Sequence, residues 1–247
     1  MELSEAQTTA LVECCRKEKV TVNTAITSAF IGAQCIIQGS KVNPNIVIAT
    51  SFRDRLPRPA GEAVGYFAGG VTLEYKYHQK MSFWDNSREL HKKLKPLYGN
   101  KNLFKEILPW LYLEPGIMES LSFKMIGELV SPDSPSYNKL SSFGKQEDVI
   151  SSLLKKQNMD SLEEPFLGTA VTNLGRLDFP QIYGKLELDR LIMNPGGMFP
   201  LAMVNLVVGV VTCAGKLSLL VEYAKETIDS TTVGKIKEKV LKFLLDE

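Results

Sequence analysis

The chain has 247 residues, 44% of them hydrophobic and 23% charged, with 29 Lys and Arg set against 28 Asp and Glu. That length and apolar share are enough for a sizeable core without disulfides or metal, and they exclude collagen-like, coiled-coil and disordered classes. The near balance of charge provides no bulk field for a phosphate backbone or an anionic membrane, so neither nucleic acid nor lipid is expected as a partner. No stretch approaches the roughly 18 to 20 uninterrupted apolar residues of a membrane span, and Met1 to Glu5 lack a basic, then apolar, leader. A cytoplasmic protein is expected. Cys14, Cys15, Cys35 and Cys213 form no CxxC pair, and only His78 and His91 could join them at a metal. They read as buried small hydrophobes in a reducing compartment rather than zinc ligands.

Ser4 and Gln7 make a capping box ahead of Leu11, Val12 and Cys15, which predicts a helix over 4–17. Thr21 caps a second helix whose stripe, Val22, Ile26, Ala29, Phe30, Ala33, Ile36 and Ile37, ends at Gly39 and reads as core. Asn45 to Phe52 (NIVIATSF) is apolar on both parities, as in a strand deep in a sheet. Arg53 to Ala63 (RDRLPRPAGEA) reads as a loop, Gly69-Gly70 as turn-like, and Val71 to His78 as a strand with one wet face that includes His78.

Ser82 caps a helix with Phe83, Leu90 and Leu94 on one side and Arg88, His91 and Lys95 on a solvated other side. From Tyr98 to Ser142, one or two short helices and an irregular stretch at 131–138 are expected, followed by a helix over 145–157. Beyond Pro165 the pattern turns to strand: Gly168 to Asn173, Leu186 to Met193, and a hairpin of Met203–Cys213 with Lys216–Ala224 about Ala214-Gly215. Asp229 or Ser230 caps a last helix with Val233, Ile236, Val240, Phe243 and Leu244 on its inner side. With no repeat and no long polar linker, residues 1–247 read as one α/β domain, a two-layer sandwich of a mixed, largely antiparallel sheet covered by helices.

Phosphate-cradling GxxxxGK[ST] and GxGxxG motifs are absent, as is a GxSxG elbow. Both histidines fall on polar faces far in sequence from any cysteine, which leaves little for a Cys/His nucleophile. Glu163-Glu164 reads as a solvated charge run before Pro165.

Four segments carry a resemblance. Leu3-Ser4 through Cys15-Arg16 to Val20-Thr21-Val22-Asn23, Ile48–Leu56 (IATSFRDRL) with Val64–Phe67 (VGYF), Val171–Gly175 (VTNLG), and the closing hairpin with Ile228-Asp229-Ser230 occur in order along nearly the whole chain. Together they resemble the C-terminal lobe of the chloramphenicol acetyltransferase-like superfamily, nearest to its condensation-domain and alcohol acetyltransferase branch. The resemblance implies one lobe of a two-lobed enzyme that passes an acyl group from a thioester to a hydroxyl or amine of a small-molecule acceptor. The thioester, on coenzyme A or a carrier-protein phosphopantetheine arm, is a co-substrate, and no tightly bound cofactor is implied. In the family the base is the second histidine of His-His-x-x-x-Asp on the N-terminal lobe. This chain has no adjacent histidines, so it is expected to need that lobe from the same or another polypeptide. The alternative is a free-standing, non-catalytic binding module. Nor does the chain carry the Asp-Phe-Gly-Trp-Gly stretch of the plant-type branch or the asparagine often found after VGYF.

By the same resemblance, Thr172 and Asn173 end a strand facing the substrate tunnel and could hold the pantetheine or the oxyanion, the alternative being a strand-end Asx turn. Arg53 and Arg55 could pair a carboxylate of the other lobe or a phosphate of coenzyme A, the alternative being solvated loop charges. Gly69 and Gly70 could admit a ligand arm close to the backbone, the alternative being an ordinary turn.

Overall fold

A computed structural model describes residues 1–39, 42–107, 123, 127, 130–144, 168–196, 204–225 and 227–246, with backbone alone described at 105–107, 143–144 and 205. The expected helix over 145–157 and Glu163-Glu164 lie outside the described residues. Strand β1 (Glu2–Leu3), which the sequence pattern does not announce, leads into α1 (Glu5–Lys17). The Ser4 hydroxyl accepts from the Gln7 amide at 3.3 Å while the Gln7 side chain accepts from Ser4 N–H at 2.9 Å, so the predicted capping box is formed.

Helix α2 (Val22–Gln38) is capped by Thr21 and ended by Gly39. It is buried on every side from Thr24 to Gln34, a wider burial than the apolar stripe alone implies. Its polar groups are largely satisfied locally: Thr27 donates to Asn23 O at 2.8 Å, and Gln34 donates to Phe30 O at 3.2 Å and to Thr169 Oγ1 at 2.7 Å. The last turn emerges from the core, with Ile36 46% exposed, so the stripe is not core along its whole length.

Strands β2 (Asn45–Ser51) and β3 (Ala68–Glu74) pair antiparallel, and α3 (Phe83–Leu94), α4 (Asn100–Ile107) and α5 (Tyr137–Gly144) follow. Then come β4 (Gly168–Leu177), a small hairpin of β5 (Ile182–Tyr183) and β6 (Leu186–Glu187), strands β7 (Val204–Cys213) and β8 (Lys216–Tyr223), and α6 (Ser230–Leu245). The main sheet has the order β1-β8-β7-β4-β2-β3. Its central pairings, β2 with β4 and β4 with β7, are parallel, and the three outer ones are antiparallel. The mixed, helix-covered sheet expected from the sequence is thus present. Ala214 and Gly215, at φ 49° and 73°, make the left-handed turn that a two-residue hairpin requires.

One face of the sheet, carrying Ile46, Ile48, Val71, Val171, Leu206, Val208, Val210 and Leu219, packs with α1, α2, α3 and α6 into the core. The predicted inner side of α6 is buried in full. The other face is divided. Across β7 and β8 it is buried at Val207, Val211, Cys213 and Ser218. At Gly209 the cover is Met193 and Pro195, which a Cβ there would meet at 2.5 Å (Met193 O) and 2.7 Å. Residues 188–196 are therefore a strap across the sheet, and of the strand expected over Leu186–Met193 only Leu186–Glu187 is paired. Across β4, β2 and β3 the same face is half-buried at Ala170, Thr172, Val47, Ala49 and Gly70 and exposed at Thr72.

Two smaller expectations change. Cys14 is exposed and Cys35 half-buried; only Cys15 and Cys213 are buried, and all four are free thiols. His91 is half-buried, its Nδ1 3.2 Å from Thr24 Oγ1, because α3 rests that edge against the first turn of α2. His78 is exposed as read, its Nε2 3.7 Å from Glu89. No single described helix is long and apolar enough to cross a membrane.

Candidate functional site

The pairing of β2 with β4 ends at Ile48 and Val171. Beyond it β2 continues with β3 and β4 with β7, so the two central strands part at their carboxyl ends. Crevices of this kind are where α/β sheets place ligands. Here the mouth is closed by polar groups. Asn173 donates from Nδ2 to Asn23 Oδ1 at 3.3 Å, and its own Oδ1 accepts from Gly175 N–H at 2.7 Å. The Tyr98 phenol faces the Asn23 side chain. Arg55 Nη1 donates to the Tyr98 carbonyl and to Asn100 Oδ1 at 3.2 Å. Arg55 thus ties the loop after β2 to the helix junction at Tyr98 and Asn100, and Asn23 ties the first turn of α2 to Asn173 of β4.

None of these groups is a base at neutral pH. Amides and a guanidinium take no proton, and burial pushes the Tyr98 phenol up, with the Asn23 side chain pulling the other way. The cluster can orient a carbonyl or amide, but it cannot receive a proton.

The six residues singled out from the sequence do not form one patch. Successive strand residues point to opposite faces, so Asn173 faces the helices while Thr172, opposite Gly209, faces the open side of the sheet. Asn173 does make an Asx turn, but at the irregularity between Asn173 and Arg176 within β4, which runs on to Leu177, and not at a strand end. Gly69 and Gly70 are not turn residues: both lie within β3, paired with Thr50 and Ala49. Gly70 shares the open face with Thr172, separated from it by the β2 strand. Arg53 is no solvated charge. Its Nη1 donates to Gly61 O and Ala63 O, each at 2.8 Å, and its guanidinium carbon lies 4.5 Å from the centre of the Phe67 ring, so it closes the loop after β2 on itself. Arg55 alone of the two arginines reaches the cluster.

Sequence reasoning missed Tyr98 and Asn100, which sit in a weakly patterned stretch. Asn23 was quoted only as part of the helix start, although an amide in the first turn beside an N-cap threonine is a usable signal of a polar helix end. A cleft of about 390 Å³, lined by Glu5, Gln181, Glu187, Leu188, Asp189, Ala214 and Lys216, contains none of the six candidates. Among the described residues no group of three or more His, Cys, Asp and Glu side chains could hold a metal ion.

No protein-family model and no curated protein matches the sequence. Solved structures do match the fold. The epimerization domain from the third module of tyrocidine synthetase B superimposes with a TM-score of 0.60 at 14% identity, covering 100% of this chain and 46% of that one. The condensation domain from the monacolin K polyketide synthase gives 0.56 at 10% identity, covering 100% and 45%. Polyketide synthase associated protein 5 from Mycobacterium tuberculosis gives 0.54 at 12% identity, covering 100% and 50%. The chain spans half or less of the length of each of these structures. It has the condensation-type fold that its motifs resemble.

Proposed function

We propose that this chain is the C-terminal lobe of an acyltransferase that moves an acyl group from a coenzyme A or carrier-protein thioester to a hydroxyl or amine. The observation that carries this reading is that the whole chain, end to end, matches slightly less than half of single condensation-type domains. The acceptor oxygen or nitrogen bonds the thioester carbonyl carbon, the carbon–sulfur bond breaks, and the acceptor proton passes through a base to the leaving thiolate. That base, a His-His-x-x-x-Asp histidine, belongs to the other lobe, since His78 and His91 are neither adjacent nor bonded to the cluster in the described residues. Of the six candidates, Asn173 and Arg55 position the crevice wall, while Thr172 and Gly70 line the open face along which an extended pantetheine arm lies. Arg53 shapes the loop and Gly69 the edge strand. The intact mass of the native polypeptide, followed through a peptide around Tyr223, tests the reading. A mass near twice 27.5 kDa with adjacent histidines upstream, or a 27.5 kDa chain held with such a lobe, is expected. A 27.5 kDa chain with no such companion returns the chain to the class of binding modules.

A further inference from the structure

The stretch that leads into α5 holds a doubled arrangement that the function proposed above does not use. Of the chain's 12 prolines, two follow a serine and none follows a threonine; these pairs, Ser131-Pro132 and Ser134-Pro135, stand three residues apart. The fold makes them two consecutive turns. Ser131 O accepts from Ser134 N–H at 2.9 Å and Ser134 O from Tyr137 N–H at 2.9 Å, with a proline in the second place of each turn. Within each turn the serine Oγ accepts the amide two residues on, Asp133 N–H and Ser136 N–H, both at 3.3 Å.

Turn formation accounts for serine beside proline, but it uses only a lone pair of each Oγ. Among the described residues neither hydroxyl proton has an acceptor. Ser131 is exposed and Ser134 half-buried, and Pro132, Asp133, Pro135 and Ser136 around them are exposed. Among the described residues every hydrogen bond of 131–136 stays within 131–140, and the stretch belongs to neither sheet. It can be drawn into another protein's cleft at the loss of two turns, without disturbing the sheet. The prolines make it recognisable there. Proline has no N–H to satisfy, and it holds the serine before it out of helical backbone. Ser142 is the contrast: it is exposed too, but Phe143 follows it and its hydroxyl donates to Lys139 O at 2.8 Å.

We propose that Ser131 and Ser134 are phosphoacceptors for a proline-directed protein kinase, Ser131 the more accessible of the two. The serine Oγ attacks the γ-phosphorus of a nucleoside triphosphate, the bond to the diphosphate oxygen breaks, and the hydroxyl proton passes to the kinase's base. Each transfer adds a charge of about −2 and three acceptor oxygens to a stretch, 131–138, whose one charged side chain is Asp133. The test maps phosphorylation by mass spectrometry on the full protein expressed in its source cells and purified with phosphatase inhibitors, with Ser142 as internal control. The expected result is phosphatase-sensitive phosphoryl on both serines, Ser131 the fuller, each at least about tenfold above Ser142 and reduced about tenfold by alanine at the proline that follows it, Pro132→Ala or Pro135→Ala. Ser131→Thr and Ser134→Thr, which keep a hydroxyl before proline, should retain occupancy. A serine of the pair found without phosphoryl is struck as an acceptor, and both without it overturn the proposal. Occupancy of Ser142 equal to that of Ser131, or occupancy unchanged in the proline variants, overturns it as well, since exposure alone would then select the site.

Discussion

Replacing Gly209 with alanine should damage this protein where the same change at Gly70 should not. Both glycines lie within strands and on the same sheet face. A Cβ at 209 would lie 2.5 Å from Met193 O, 2.7 Å from Pro195 Cδ and 3.1 Å from Met193 Sδ, while one at 70 would lie 3.6 Å from Ile48 O and 3.9 Å from Val47 Cγ1. Real Cβ contacts essentially never fall below 3.0 Å, so the strap must retreat by at least about 0.5 Å against a backbone carbonyl and a rigid ring. Overpacking of this kind costs about 1–3 kcal/mol, or roughly 2–4 °C in Tm per kcal/mol for a chain of this size. At Gly70 the new methyl makes ordinary contacts, and a change within about 0.5 kcal/mol is expected. Chemical denaturation gives the stabilities, and amide hydrogen exchange over 188–196 shows whether the strap lifts. Equal stability of the two variants, with strap exchange unchanged in Gly209→Ala, would refute the close approach.

In the complete protein, Asn173→Ala removes the Gly175 and Asn23 hydrogen bonds; about 1–2 kcal/mol of stability and at least about tenfold in kcat/KM should be lost, and unchanged turnover would take Asn173 out of the site. A thiol reagent should label Cys14 first and Cys15 and Cys213 only on unfolding; equal rates for all four would contradict their burial. Burial, then the neighbouring Cys14, pushes the Cys15 thiol up to about 12 from 9.0. Its raised value makes it a group that favours the fold fully below pH 9 and stops doing so as pH rises toward 12. Stability should fall by at most about 1.4 kcal/mol per pH unit in that window, and a denaturation series that shows the same slope for Cys15→Ala would remove this cause.

The helices and the closing hairpin were legible because local rules decide them: Ser4, Thr21, Ser82 and Asp229 cap as read, and Ala214-Gly215 turns as read. What local rules do not decide was missed. Gly69-Gly70 looks like a turn in isolation, and only pairing with Ala49 and Thr50 makes it strand. Leu186–Met193 has the composition of a strand, yet beyond Glu187 it lies across a sheet face as a strap, held by long-range pairs such as Asp189 with Lys216. The VTNLG motif led to Asn173 and Thr172, but strand alternation sends them to opposite faces, so one motif contributes to two surfaces. Tyr98 could not be found from periodicity, because it enters the cluster through a junction between a short helical turn and α4.

The most direct test of the account is acyl transfer by the purified 247-residue chain, measured beside the native assembly from its source cells with the same set of acyl-CoA donors and small alcohol and amine acceptors. The account predicts no transfer by the chain alone and turnover by an assembly that includes a His-His-x-x-x-Asp lobe. Turnover at enzyme-like rates by the isolated chain would contradict it, because none of the described groups at its crevice can take the acceptor's proton.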